Sequence, residues 1–166
     1  MNSHPFKIKS IGSGSLSIMA KPVSGDFIDD EFKGLSINGV TLLVSLLERS
    51  EAYQLGLAQE FELCEKWNMD FMNYPIEDRN IPSQLSSYDR FIRVVYGKIS
   101  GGAHAAVHCR SGIGRAGLVS ACILMHENCL PIDAFAAVSD ARGVSVPDTE
   151  EQYHFCTETY VNYVGI

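Results

Sequence analysis

Hydrophobic positions along this chain recur at two different spacings. Short apolar runs at Phe6–Ile11 and Leu16–Ala20, split by Gly12-Ser13-Gly14, predict a pair of opening strands. Thr41–Leu47 is a near-continuous apolar run of the kind a strand covered on both faces needs. Asp70–Ile76 and His104–His108 predict two more strands. Between these runs the period lengthens to three or four residues. Phe27, Ile28, Phe32 and Leu35 predict a helix over Asp26–Leu35, closed by Gly39, and Leu57, Phe61, Cys64 and Trp67 predict another over Ala58–Asn68. Leu85, Tyr88, Phe91, Ile92, Val95 and Ile99 make one apolar stripe, with Ser83 as N-cap and Gly101-Gly102 as the stop. Leu118–Met125 is apolar nearly all round, which predicts a buried helix. Ser139–Asp148 reads as a loop around Arg142-Gly143, and Thr149–Val164 as a closing helix. Strands alternating with helices predict an α/β fold: a single domain over residues 1–166 with a central, mostly parallel sheet flanked by helices.

Composition narrows the class. With 46% apolar and 20% charged residues the chain has the make-up of a globular protein. No apolar run reaches the roughly 18 residues of a membrane span, and MNSHPFKIKS lacks the apolar stretch of a signal peptide. A net charge of −7 without basic clusters argues against nucleic acid and anionic membranes as partners. It does not disfavour a small anionic substrate, because a local nest of amides overcomes a modest global field. The cysteines (Cys64, Cys109, Cys122, Cys129, Cys156) are odd in number and show no zinc-type spacing, so a reduced cytoplasmic setting is expected and no metal or cofactor is implied.

One segment carries chemistry. His108-Cys109-Arg110-Ser111-Gly112-Ile113-Gly114-Arg115 joins a short strand to a buried helix, with Gly112 and Gly114 available for positive φ. Successive amide N–H groups of such a turn can line an anion cradle at the positive end of the helix dipole. A thiol at its lip is favoured as thiolate. Arg115 can grip two phosphoryl oxygens with its planar fork. A buried Cys in a glycine-containing turn is the ordinary alternative. A chance match to His, Cys, Gly and Arg at these offsets, however, is on the order of one in a thousand.

The same residues resemble the His-Cys-x5-Arg signature of the cysteine-dependent protein-tyrosine-phosphatase superfamily. More particularly, the chain is similar to the dual-specificity branch and its bacterial proteins of the cyclin-dependent-kinase-inhibitor-3 type, from about Ile18-Met19-Ala20-Lys21-Pro22 to the last helix. The resemblance implies a nucleophile at Cys109 and phosphate binding and transition-state stabilisation by Arg115. It gives Arg110, Ser111, Gly112, Ile113 and Gly114 backbone contacts to phosphate, and His108 a supporting role. Pro75-Ile76-Glu77-Asp78-Arg79-Asn80-Ile81-Pro82 looks like the acid loop of this branch, which makes Asp78 the proton donor, with Glu77 as the neighbouring alternative. Asp148-Thr149-Glu150-Glu151-Gln152 resembles the segment whose closing Gln positions the hydrolytic water, although Asp148 stands where a second Gln is usual. Ala116 replaces the usual Ser or Thr after the signature Arg, a departure expected to slow breakdown of a phospho-enzyme.

The function these resemblances imply is a phosphoprotein phosphatase for phosphotyrosine, and for phosphoserine or phosphothreonine, acting on a phosphorylated protein or peptide. The loop interior has one cation and no Lys, which disfavours a polyphosphorylated lipid head group. A non-catalytic phospho-residue binding module is the alternative, and sulfurtransferase or arsenate chemistry on the thiolate is a third reading.

Overall fold

The computed structural model describes residues 4–166. Its centre is a five-stranded sheet in the order β1-β2-β5-β3-β4. β1 (Phe6–Ile11) and β2 (Gly14–Met19) form the antiparallel opening hairpin. β3 (Leu42–Ser45), β4 (Asp70–Asn73) and β5 (His104–His108) are parallel, and β2 joins them parallel to β5. The fold is therefore the predicted α/β arrangement with a mostly parallel sheet.

The pleat sorts the strand residues between two layers. Leu42, Val44, Ala105 and Val107 face the larger core, built with α4 (Leu85–Ser100), α5 (Gly114–Met125) and α6 (Pro131–Arg142). Leu43 and Ala106 face a smaller core with Phe32 and Leu35 of α1 (Ile28–Ile37) and Cys64 of α3 (Glu60–Lys66). β3 is buried at every position, as its continuous apolar run requires, and each such Leu or Val contributes roughly 1.5–3 kcal/mol.

Several boundaries differ from the sequence expectation. Arg49–Gln54 forms a short helix, α2, that hydrophobic period does not announce: none of its residues is buried, and a capping box between Glu48 and Glu51 holds its first turn. Phe61 of α3 is 56% exposed, so it is no part of the expected stripe. The N-cap of α4 is Gln84 rather than Ser83, and it makes no side-chain capping bond. β4 ends at Asn73, although the amides of Tyr74 and Ile76 still donate to Ser45 O and Leu46 O before the chain runs out into a loop. α5 starts four residues before Leu118, at Gly114. Ser139–Arg142, expected as loop, is the last turn of α6, which buries Ala134, Phe135 and Val138. The closing helix runs as α7 (Glu150–His154), a π-helical turn (Phe155–Tyr160) and α8 (Val161–Val164).

Candidate active site

Parallel strands of an open sheet present their carboxyl ends on one side, where crevices form. β5 ends there, and the chain turns through residues 109–113 into the N-terminus of α5. The shape of that turn follows from where its carbonyls go. Cys109 O accepts from His108 Nδ1 at 3.1 Å, and Arg110 O accepts from the amide of Lys21 at 3.1 Å. Ser111 O and Gly112 O accept from Arg142 Nη2 and Nε, each at 3.1 Å. Ile113 O accepts from the amide of Gly117 at 3.0 Å. A trans peptide holds its C=O and the following N–H on opposite sides. With each of these carbonyls drawn outward, the amides of residues 110–114 turn into the ring.

The glycines of this turn serve two different needs. Gly112 has φ +72°, and a methyl there would sit 2.5 Å from the Met19 carbonyl group, so only Gly fits. Gly114 has no positive φ, contrary to expectation. It is the first residue of α5, and it lets Asp148 and Gln152 pack close, since an added Cβ would be 2.9 Å from Asp148 Cβ. Cys109 is 2% exposed. Its Sγ accepts from the amide of Ala116 at 3.4 Å, at the end of a helix whose N-cap, Ile113, offers no side-chain acceptor.

Arg115 is buried and closes the far side. Nη1 and Nη2 donate to the two oxygens of Glu51 at 2.8 Å each, Nη1 also to Ile76 O at 2.9 Å, and Nη2 to Asp78 Oδ1 at 3.0 Å. Burial opposes the Arg115 charge. The Glu51 hydrogen bonds and the nearby Cys109, Glu51 and Asp78 charges outweigh it and raise the pKa. Glu51 is shifted the complementary way: burial raises its pKa, but Arg115 wins and holds the carboxyl below its ordinary value. The clamp is thus intact above the ordinary carboxylate range and is lost as pH falls through that lowered value.

Asp78 and Gln152 reach the same place from separate segments. The acid loop leaves β4 through Tyr74, stacked on Phe91 with centroids 4.8 Å apart and bonded to Ser87 Oγ at 2.8 Å. Ile76 is buried at the loop's base. Asp78, and not Glu77, is the carboxylate that meets Arg115. Arg79, at φ +63°, pairs with Asp148 at 2.6 Å. Gln152 is fully buried and acts first as a cap: Oε1 accepts from the amides of Asp148 and Thr149, and Nε2 donates to Asn80 O on the acid loop at 3.1 Å. His108 is buried, with Nε2 2.7 Å from Glu60 Oε2. The segment 108–115, Asp78 and Gln152 therefore form one cluster.

Hydrophobic period and motif spacing pass over three residues of this cluster: Glu51, Glu60 and Arg142. Each is a charged residue on a helix, and nothing in the linear pattern separates it from a solvated face. The remaining cysteines are packing residues. Burial pushes the Cys64 thiol up to about 12 and that of Cys122 well above its ordinary value.

A family model described as Tc-R-P, "Polymorphic toxin system, DSP-PTPase phosphatase", matches residues 18–128. Among curated proteins the chain is 23% identical over 133 residues to cyclin-dependent kinase inhibitor 3 of Rattus norvegicus, covering 79% of this chain and 62% of that protein. The chain thus spans under two thirds of that relative's length. Among solved structures it is similar to a kinase associated phosphatase (KAP) carrying a catalytic-site cysteine-to-serine substitution. That match has TM-score 0.86 and 18% identity over 99% of this chain and 97% of the other. The active form of Tk-PTP matches with TM-score 0.71 and 21% identity over 96% of each chain.

Proposed function

The chain belongs to the Tc-R-P family of DSP-PTPase phosphatases, and from that premise we propose that it hydrolyses phosphorylated protein or peptide through a phosphocysteine on Cys109. The observation that carries this reading is that each carbonyl of residues 109–113 is tied to a donor, which leaves the amides of residues 110–114 for an anion, beside a Cys109 sulfur that accepts from the Ala116 amide. In the first step Sγ forms a bond to phosphorus while the ester P–O bond breaks, and Asp78 gives its proton to the leaving oxygen. Arg115 exchanges its bonds to Asp78 and to one oxygen of Glu51 for the equatorial oxygens of the phosphoryl group, while the other Glu51 oxygen keeps hold of it. In the second step a water oxygen attacks phosphorus, the S–P bond breaks, and Asp78 takes the water proton. Gln152 Nε2, which keeps one further hydrogen beyond its bond to Asn80, holds that water. Phosphotyrosine is the substrate we assign first, with phosphoserine and phosphothreonine beside it.

Mass spectrometry of acid-quenched protein after brief exposure to an aryl phosphate tests the reading. It should find one phosphoryl group on Cys109, and Cys109→Ser should lose turnover while still binding vanadate. Absence of the adduct together with turnover by the serine variant would defeat it.

A second reading, a phospho-residue binding module without turnover, rests on Ala116. Here a backbone amide, and no hydroxyl, meets the sulfur at 3.4 Å. On the phosphatase reading, this makes breakdown of the phosphocysteine the slow step. Ala116→Ser should then raise the steady-state rate and remove a pre-steady-state burst. Unchanged progress curves would remove that role for Ala116.

A further inference from the structure

On the far face of the sheet from Cys109 lies a buried acid–base pair that the chemistry above leaves unused. The pleat sends Val107 and Cys109 toward the larger core and Ala106 toward the smaller one. His108 follows Ala106 and meets Glu60 at the start of α3. His108 is 0% and Glu60 3% exposed. A carboxylate so deeply buried needs a partner, and among the described residues this one meets a ring nitrogen at 2.7 Å.

The hydrogen positions follow from the acceptors. Nδ1 faces the Cys109 carbonyl at 3.1 Å, and a carbonyl oxygen only accepts, so Nδ1 carries a hydrogen. Nε2 faces a carboxylate, and one further hydrogen lies between them. A neutral imidazole without Glu60 could place its hydrogen on either nitrogen, and placing it on Nε2 would release the Cys109 carbonyl. The other charged and titratable groups around the pair are few. Arg49 and Tyr53 of α2 share with Glu60 the wall of a cavity of about 340 Å³, whose other polar sides are Ser45 and Asn73. Cys64 lies one turn along α3, and burial first and Glu60 second raise its thiol pKa and keep it protonated.

We propose that Glu60 is a positioning residue for the nucleophile. Its carboxylate fixes His108 with Nδ1–H toward the Cys109 carbonyl, which keeps that carbonyl outward and the Arg110 amide turned into the anion ring. The proposal rests on the reading of Cys109 as nucleophile. Glu60→Ala removes the partner. Glu60→Gln is the conservative variant, because its side-chain amide can donate to a bare Nε2 and so retain the hydrogen on Nδ1.

The test compares the wild-type chain with both variants in para-nitrophenyl phosphate turnover and in alkylation of Cys109 by iodoacetamide, read site by site by mass spectrometry. Glu60→Ala should lower kcat on the order of tenfold, as loss of an outer partner of a reactive group does. KM should change less than kcat, Cys109 alkylation should slow in parallel, and Glu60→Gln should recover most of both rates. Wild-type rates in both variants would overturn the proposal. So would equal losses in both with Cys109 alkylation unchanged, the signature of a merely structural pair. If the variants do not fold, nitrogen spectra of the 15N-histidine-labelled wild-type chain decide: a hydrogen on His108 Nδ1 supports the assignment and a bare Nδ1 overturns it. Absence of turnover in the wild-type chain itself would count against the phosphatase reading, while alkylation and ring-nitrogen spectra still judge Glu60.

Discussion

Two loops frame Cys109, and they are held to different degrees. The loop at 109–113 has each carbonyl tied to a donor from β2's end, α5 or α6, or to the neighbouring His108, and its cysteine is buried. The acid loop takes bonds from buried Arg115 and Gln152 at Ile76 O, Asp78 and Asn80 O, but its tip also rests on exposed side chains. Asp78 is 53% exposed, and the Arg79–Asp148 pair joins side chains 63% and 37% exposed. An exposed ion pair of that kind is worth about 0–1 kcal/mol. The first loop is thus fixed before substrate arrives, as an electrostatic cradle must be to avoid reorganising during reaction. The second depends in part on an exposed pair, so its tip is the more easily displaced of the two.

The contrast can be broken at either side. Asp78→Ala should have the largest effect, lowering kcat by about 10²- to 10⁴-fold on alkyl or aryl esters and flattening the basic limb of the pH profile. Full rate in that variant with loss in Glu77→Ala would move the acid to the neighbouring carboxylate. Arg142→Met comes next. It removes the two donors that pull Ser111 O and Gly112 O outward, and each such charged bond is worth about 1.5–3 kcal/mol. Vanadate affinity, followed by titration, should weaken at least roughly tenfold, while a wild-type value would show that the ring holds its shape without Arg142. Arg79→Ala should be the smallest. An exposed pair limits the change in kcat to within about fivefold, and 0.5 M salt should mimic it in the wild-type chain. A loss beyond a hundredfold would show that the acid loop is as rigidly held as its neighbour.

How much of this was legible in the linear pattern depended on what each residue had to do. Leu42–Val44 announces itself as a continuous apolar run, and the α4 stripe because its burial repeats with the helical period. Cys109, Arg115 and Gly112 stand out because their types are rare at that spacing, and the structure brings Asp78 and Gln152 to them from segments 37 residues apart from either side of Arg115. α2 was invisible because it buries nothing. α6 was hidden because its buried stripe, Pro131, Ala134, Phe135 and Val138, is made of small and mixed residues, while the exposed Ile132 and Ala136 put apolar residues on the opposite face and blur the period. Glu51, Glu60 and Arg142 were missed for a different reason: each looks like a surface charge until the fold supplies its partner.

The peptide between residues 108 and 109 straddles the sheet, with His108 reaching Glu60 on one side and Cys109 packed in the larger core on the other. A change among α1 and α3 therefore has a mechanical route to the sulfur that bypasses the crevice altogether. Loss-of-function substitutions in that lower layer would look remote on any map of distances, yet they would act one covalent bond from the reacting residue.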